Sequence, residues 1–321
     1  MTRTYALVVN PAAGGGRAGR LLPAVRGVLD DAGARHQVSE SASLEHAKEL
    51  AAAVADRGDV VVAFGGDGMV GALAGTVAAA GGVFGIIPAG RGNDFARTLG
   101  IPFAPADAAR LLVHGQERPC DLIGVGRADA GGADADGTAE ADGAARAGPA
   151  EFVVAGSVYL GIPAVAAEIA GRSRVPPGEM AYPVAGLRAV LGWRTATFRM
   201  QLDDGAAQEF DGGVVVVANS RYFGAGMMVA PQADTGDGLL DVVYIRSGSK
   251  LAMLRGLTKL KTGAHLSMRE VGTARAAAVT ITAGRPMPGG ADGEPLACAG
   301  PLDRGRPLRI RALPCALRVI T

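Results

Sequence analysis

The chain reads as an α/β protein in two parts: an open, mainly parallel α/β sheet followed by a mainly antiparallel β domain. Three observations lead there. Short apolar runs alternate with helical patterns through the first third, polar glycine-rich turns close three of those runs, and later strand-like runs follow one another with few helices between them.

Tyr5–Asn10 is strand-like. Arg17–Asp31 follows as a helix with Leu21, Leu22, Val25, Val28 and Leu29 on one face. His36–Ser39 is a short strand and Leu44–Ala55 a helix with Leu44, Ala47, Leu50, Ala51 and Val54 aligned. Val60–Phe64 is a strand, Met69–Ala80 a helix, Phe84–Pro88 a strand, Asn93–Leu99 a helix start and Pro105–Val113 a further helix. This order implies parallel strands with helices on both faces, and ligands of such sheets collect at the carboxyl ends of the strands.

Arg127–Ala150 is poor in large apolar residues and rich in Ala, Gly and Asp, the composition of a disordered or mobile surface insertion. Strand-like runs follow at Phe152–Tyr159, Ala196–Leu202, Gly213–Ala218, Leu239–Ile245, Ala277–Ile281 and Leu308–Arg311, with helices near Tyr182–Leu191 and Lys250–Thr262. Asp203-Asp204-Gly205 is a hairpin signal. The boundary falls near Asp121, dividing residues 1–121 from 122–311.

The 321 residues suffice for two cores, and a formal net charge of +1 argues against a general nucleic-acid binder. Cys120, Cys298 and Cys315 have neither metal-ligand nor disulfide-framework spacing, which suits a reducing cytoplasm. Met1–Asn10 lacks a signal-peptide pattern. Phe152–Ala170, the nearest approach to a membrane span, is interrupted by glycines, Pro163 and Glu168.

Four clusters can carry chemistry. Asn10-Pro11-Ala12-Ala13-Gly14-Gly15-Gly16-Arg17 is a nucleotide contact or an ordinary turn. Gly65-Gly66-Asp67-Gly68 joins a buried strand to a helix N-terminus, where N–H groups and the helix dipole favour phosphate. The aspartate within it makes sense if a cation stands between it and the phosphate, or if it organises donors. Ile87-Pro88-Ala89-Gly90-Arg91-Gly92-Asn93-Asp94 ends a third strand; Asn93 or Asp94 is a helix cap or part of a shared site. Gly290-Ala291-Asp292-Gly293-Glu294 is a hairpin tip or a functional turn. Asp237-Gly238-Leu239-Leu240-Asp241 is a turn or an oxygen-ligand site for Mg²⁺.

NPAAGGG, FGGDGMVG, IPAGRGNDFART and ADGEPL, in that order and at these separations, resemble the diacylglycerol kinase and sphingosine kinase superfamily of soluble lipid kinases. VVVANSRYFGAGMMVAPQADTGDGLLDVVYI is similar to the family's approach to its Asp-Gly-x-Leu-Asp segment. The resemblance covers nearly the whole chain apart from Arg127–Ala150. It implies an N-terminal nucleotide domain, a C-terminal β-sandwich-like domain (an NAD kinase/diacylglycerol kinase-like fold), a cleft between them, and a last strand that returns residues 312–321 to the first domain.

The implied reaction transfers the γ-phosphoryl group of ATP to a lipid hydroxyl, most readily that of diacylglycerol. Asn10, Gly65, Gly66, Asp67 and Gly68 would bind ATP, with Gly90, Arg91, Asn93 and Asp94 supporting nucleotide and metal. Asp67 would hold the catalytic Mg²⁺ through water, and Asp237 would match a structural Mg²⁺ site. Asp292 would be the base toward the lipid hydroxyl, oriented by Glu294. The implied setting is cytoplasmic, with transient peripheral contact at the inner face of the membrane and no nucleic-acid partner; a homodimer is compatible with it.

Two positions depart from the family pattern. Met69 and Arg91 stand where the family usually has Thr, and Arg91 is either a charged phosphate clamp or an obstacle to the usual nucleotide pose. Tyr159, Leu160, Ile162, Val165, Met227 and Met228 are candidates for an apolar groove. Lys250, Arg255, Lys259 and Lys261 share a helix-like stretch with Leu251, Leu254, Leu257 and Leu260, which is either a lipid-facing or an ordinary solvated helix. An NAD kinase-like phosphotransferase and a non-catalytic nucleotide-binding protein of the same fold are the alternative readings.

Overall fold

The structure is a computed structural model that describes residues 3–127, 151–172, 181–247, 249–296, 302 and 306–321. All of the expected Arg127–Ala150 insertion except Arg127 itself lies outside them.

The first part alternates strictly. β1 (Tyr5–Val9), α1 (Ala13–Asp31), β2 (His36–Glu40), α2 (Leu44–Ala55), β3 (Val60–Gly65), α3 (Asp67–Ala79), β4 (Val83–Pro88), α4 (Asp94–Thr98) and α5 (Pro105–His114) lead to β5 (Glu117–Arg127). β2, β1, β3 and β4 lie side by side in parallel. β3 and β4 are buried along their whole length, which is why they read as unbroken apolar runs and not as alternating ones. Helix faces close over both sides, with Val25 and Leu29 of α1, Ala51 of α2, Leu73 and Val77 of α3 and Leu112 of α5 in one core. α2 begins where the Ser43 side chain accepts the His46 N–H as a local cap.

The second part contains β6 (Phe152–Val154), β7 (Ser157–Gly161), α6 (Ile162–Arg172), α7 (Ala181–Gly192), β8 (Ala196–Leu202) and β9 (Gln208–Ala218). β10 (Tyr222–Phe223), β11 (Met227–Met228), β12 (Leu240–Arg246), α8 (Lys250–Lys259), β13 (Val271–Ala276), β14 (Ala278–Ala283), β15 (Gly289–Ala291), β16 (Glu294–Pro295) and β17 (Leu308–Ile320) complete it. Apart from β17 beside β4, every pairing among these strands is antiparallel. Their inner faces bury Phe198, Leu160, Val215, Ile281 and Ile310 in a second core.

β17 joins the two parts. Its first residues pair with β14, its last with β4 in parallel, and β5 runs antiparallel beside it from end to end across one irregularity. Among the described residues, no helix is long and apolar enough to cross a membrane.

Two expectations change. Phe152–Tyr159, read as one strand, is broken into β6 and β7 at Ala155-Gly156. The stretch from Ile162, read only as an interrupted apolar segment, forms α6.

Candidate active site

Three turns meet at the carboxyl ends of β1, β3 and β4. The Ala89 N–H donates to the Gly65 carbonyl at 2.7 Å, and the Asn10 N–H to the Phe64 carbonyl at 3.3 Å. Gly66 and Gly90 touch backbone to backbone: a Cβ built on Gly90 would lie 2.5 Å from the Gly66 Cα. Only glycine at both positions permits that approach.

Asp67 lies in the first turn of α3, with Gly66 as the N-cap residue. Its carboxylate accepts the Asn93 N–H at 2.7 Å and the Asp94 N–H at 2.6 Å, tying the turn after β3 to the turn after β4. Asn93 is buried in the left-handed backbone region that Asn tolerates (φ 50°), and its side-chain amide both accepts from the Gly90 N–H and donates to the Gly90 carbonyl. Asn10 accepts the Ala12 N–H at 3.1 Å and shapes its own turn. In this arrangement the polar side chains of the three turns hold the backbone, and the backbone presents the glycine N–H groups. The leading N–H groups of α3 have no intrahelical acceptor and suit a phosphate oxygen.

Asp94 reaches across to the second part, accepting the Ala225 N–H at 2.9 Å and the Gly226 N–H at 2.7 Å. Thr98 and Ser220 share a 2.6 Å hydroxyl contact beside it. Arg97 lies over the rings of Phe103 and Tyr222, 4.5 and 5.4 Å from their centroids, and completes this clasp between α4 and the β10–β11 hairpin.

Asp292 arrives from the tip of the β15–β16 hairpin, where it takes φ 46° and Gly293 φ 93°. The hairpin reading of this turn is met. Its Oδ2 accepts the Ala155 N–H at 2.7 Å, while Oδ1 accepts those of Gly156 and Ser157 at 2.9 and 3.0 Å. This cradle is the reason β6 and β7 are separate strands: the N–H groups at the break serve the carboxylate instead of a ladder. Asn219, fully buried, supports the cradle by donating to the Ala155 and Asp121 carbonyls at 2.9 and 2.7 Å. The other side of Asp292 packs on Gly71 of α3, where a Cβ would stand 2.9 Å from Oδ2. Gly71 and Asp67 are four residues apart on one helix face, so the fold brings the two distant aspartates together. Glu294 is exposed and lies toward Gly68 in the first turn of α3.

Burial raises all three carboxyls. Asp292 is pushed up to about 6, against the pull of its three N–H donors, with the negative charge of Asp67 adding to the rise. Asp94 is pushed to about 6 by burial and then by Asp67. Asp67 is also raised by burial, opposed by the Asp94 and Asn93 N–H groups. Three crowded carboxylates form a negative centre that a divalent cation would neutralise. Their oxygens keep further lone pairs after these hydrogen bonds, so a Mg²⁺ ion here would be met through water and not by direct ligation.

Asp237 is placed differently. Its Oδ1 accepts the Leu239 N–H at 3.0 Å and its Oδ2 contacts Arg275, whose Nε is 3.5 Å from Asp241 directly opposite on β12. As arranged, Asp237 and Arg275 form an ion pair. Among the described residues, no group of three or more His, Cys, Asp or Glu side chains is disposed to hold a metal ion.

Beyond the clasp opens a cavity of about 1450 Å³, larger than the roughly 300–1,000 Å³ of small-molecule pockets. Arg91, Arg97, Ala225 and Gly293 stand at its polar end. Ile162, Val216, Met227, Met253 and Leu257 represent its apolar walls. Arg91 is exposed there. Of the expected groove residues, Ile162 and Met227 line this space, whereas Tyr159 packs on Phe223 and Leu160 belongs to the sandwich core. Sequence reasoning missed Ala155, Gly156, Ser157 and Asn219. The only signal was the Ala-Gly-Ser interruption of an apolar run, which small residues make easy to overlook.

The fold and this cleft define a two-domain kinase architecture, an α/β sheet against a β-sandwich with the candidate site between them. The family model described as the diacylglycerol kinase catalytic domain matches residues 4–125, and that of the YegS C-terminal NAD kinase beta sandwich-like domain matches residues 156–321. A diacylglycerol kinase of Mycobacterium tuberculosis is 35% identical over 275 residues, 84% of this chain and 79% of the relative. A YegS-like lipid kinase of Stenotrophomonas maltophilia is 30% identical over 283 residues, 85% of this chain and 82% of the relative. A crystal structure of a diacylglycerol kinase from Bacillus anthracis superposes with a TM-score of 0.71 at 20% identity, covering 99% of this chain and 96% of that one. The chain belongs to the diacylglycerol kinase and YegS-like lipid kinase family.

Proposed function

We propose that this chain transfers the γ-phosphoryl group of ATP to the free hydroxyl of diacylglycerol, forming phosphatidic acid and ADP. The observation that carries the reading is the position of Asp292: a carboxylate pushed up to about 6, cradled by backbone N–H groups and set against the α3 face that bears Asp67. A raised carboxyl of this kind is matched to accepting a hydroxyl proton near neutral pH.

In this reading the glycine turns and the N-terminus of α3 hold the phosphates, and the large apolar cavity takes the acyl chains. The lipid oxygen bonds to the γ-phosphorus as the bond from that phosphorus to the bridging oxygen breaks, and the hydroxyl proton passes to Asp292. Mg²⁺, reached by Asp67 through water, would neutralise phosphate charge as it develops. Asn93 and Gly90 keep the turn in register. Asp94 acts by clasping the second part over the first, excluding water from the transfer. Arg91, at the cavity's polar end, supplies a charged contact to phosphate in place of a hydroxyl. Such an enzyme works in the cytoplasm against the inner face of the membrane.

Purified chain with Mg²⁺ and labelled ATP, offered dioleoylglycerol, sphingosine, ceramide and NAD in parallel, tests this. Label is expected in phosphatidic acid, and Asp292→Ala should remove it. Label in NADP, or ATP bound with no turnover on any acceptor, would overturn the proposal.

A further inference from the structure

We infer that the paired ends of α7 and α8 form a docking face for an anionic lipid bilayer, set over the apolar cavity; this deepens the lipid kinase reading and rests on it. Among the described residues, five large apolar side chains are exposed, and four of them are on these two helices: Val184 and Leu187 at 41%, Leu191 at 52% and Leu251 at 57%. A single exposed leucine needs no explanation, but a cluster at one corner does. Lys250 donates to the Leu191 carbonyl and so brings the start of α8 to the end of α7, with Leu191 and Leu251 at the same tip.

Charge identifies the occupant. Arg188, Lys250, Arg255 and Lys261 are exposed on or just after these helices, and Lys259 is half-buried. Neither Asp nor Glu occurs from Val184 to Met200 or from Ser249 to Met268, although the whole chain is nearly neutral at +1. Exposed leucines among lysines and arginines suit the boundary between acyl chains and anionic headgroups. A second copy of the chain suits it poorly, because two such faces would oppose like charges.

The inner sides of the same helices give the face its purpose. Gly186, Leu187 and Val190 of α7 and Met253, Leu254 and Leu257 of α8 line the cavity that ends near Gly293, next to Asp292. Leu187 is both exposed and part of the lining, so the cavity wall and the docking face meet there. A diacylglycerol can therefore pass from the bilayer into the protein beside Leu187 without crossing water.

Flotation of the full chain without nucleotide, on phosphatidylcholine vesicles with or without phosphatidylglycerol, tests the face independently of turnover. The wild type should float with the anionic vesicles and lose this on neutral ones. Leu191→Asp with Leu251→Asp should weaken it about tenfold or more. Both sites are exposed and outside the cavity lining, so phosphorylation of a short-chain, water-dispersed diacylglycerol should stay within about twofold of wild type. Should that pair melt early, Arg188→Glu with Arg255→Glu is the second probe, with the same expected loss. Wild-type binding that is equal on neutral vesicles, or unaffected by either pair, would overturn the inference. So would a dimer that the leucine pair dissolves, since a second copy would then cover the face. Absence of phosphorylation by the wild type in the soluble assay would count against the kinase reading and leave the flotation result intact.

Discussion

Asp292 stands under opposed demands. Three N–H donors favour its ionised form, while burial and the neighbouring Asp67 disfavour it, and the balance is a carboxyl pushed to about 6. The sign for activity follows: the base form grows as pH rises, so kcat/KM should climb about tenfold per unit below 6 and level off above it. Asp292→Ala should cost about 10²- to 10⁴-fold in kcat and remove that limb, with circular dichroism unchanged. The limb should persist in Asp94→Asn, whose carboxyl is also pushed to about 6. The sign for stability is opposite. Both carboxyls are raised on folding, so their favourable contribution is complete below the ordinary carboxylate range and is lost as pH rises through about 6. The site therefore carries its charges at neutral pH at the expense of stability.

Glycine has opposite values in two elements of the same sheet domain. Gly90, in the turn after β4, would place a Cβ 2.5 Å from the Gly66 backbone, whereas Gly27 lies exposed inside α1 with nothing within 4 Å. Gly90→Ala should destabilise by about 2 kcal/mol or more and spoil transfer, since neither backbone can yield without moving the turn. Gly27→Ala should stabilise by about 0.5–1 kcal/mol through helix propensity and a less flexible unfolded chain. Urea melts of the two variants check both signs. The clasp between α4 and the β10–β11 hairpin gives a further test. Removing the Asp94 carboxylate frees the Ala225 and Gly226 N–H groups, so Asp94→Ala should speed amide exchange across residues 222–228 and leave the β3 and β4 amides protected. Unchanged exchange there would show that the hairpin is held by other contacts. At this level the sequence was informative wherever a pattern is local. The alternation of β1 to β4 with helices and the Asp292-Gly293 hairpin were both readable. The break between β6 and β7 was not, because it exists to serve a carboxylate far along the chain.

β17 makes the molecule one cooperative object. A single strand pairs with β14 in the sandwich and β4 in the parallel sheet, and β5 accompanies it through both. Neither sheet can melt without disturbing this pair, so calorimetry should show one transition whose calorimetric and van't Hoff enthalpies agree. Two resolved transitions would mean that the strand pair bends or frays between the sheets. Relative movement at the cleft must then come from the clasp and not from separation of the two parts.

Residue order alone determined the alternation of strand and helix, the three glycine turns on one sheet edge and the motif set that marks the family, because each depends on neighbours within a few positions. It also supplied Asp67 and Asp292 as candidates, through the turns that contain them. Only the tertiary structure decided that Asp67 braces the β4 turn, that Asp94 clasps the second domain, that Asp237 pairs with Arg275 and that Ala155–Ser157 cradle Asp292. Those are contacts between residues far apart in the chain, set by packing and hydrogen-bond satisfaction in a folded interior, and no local pattern encodes them.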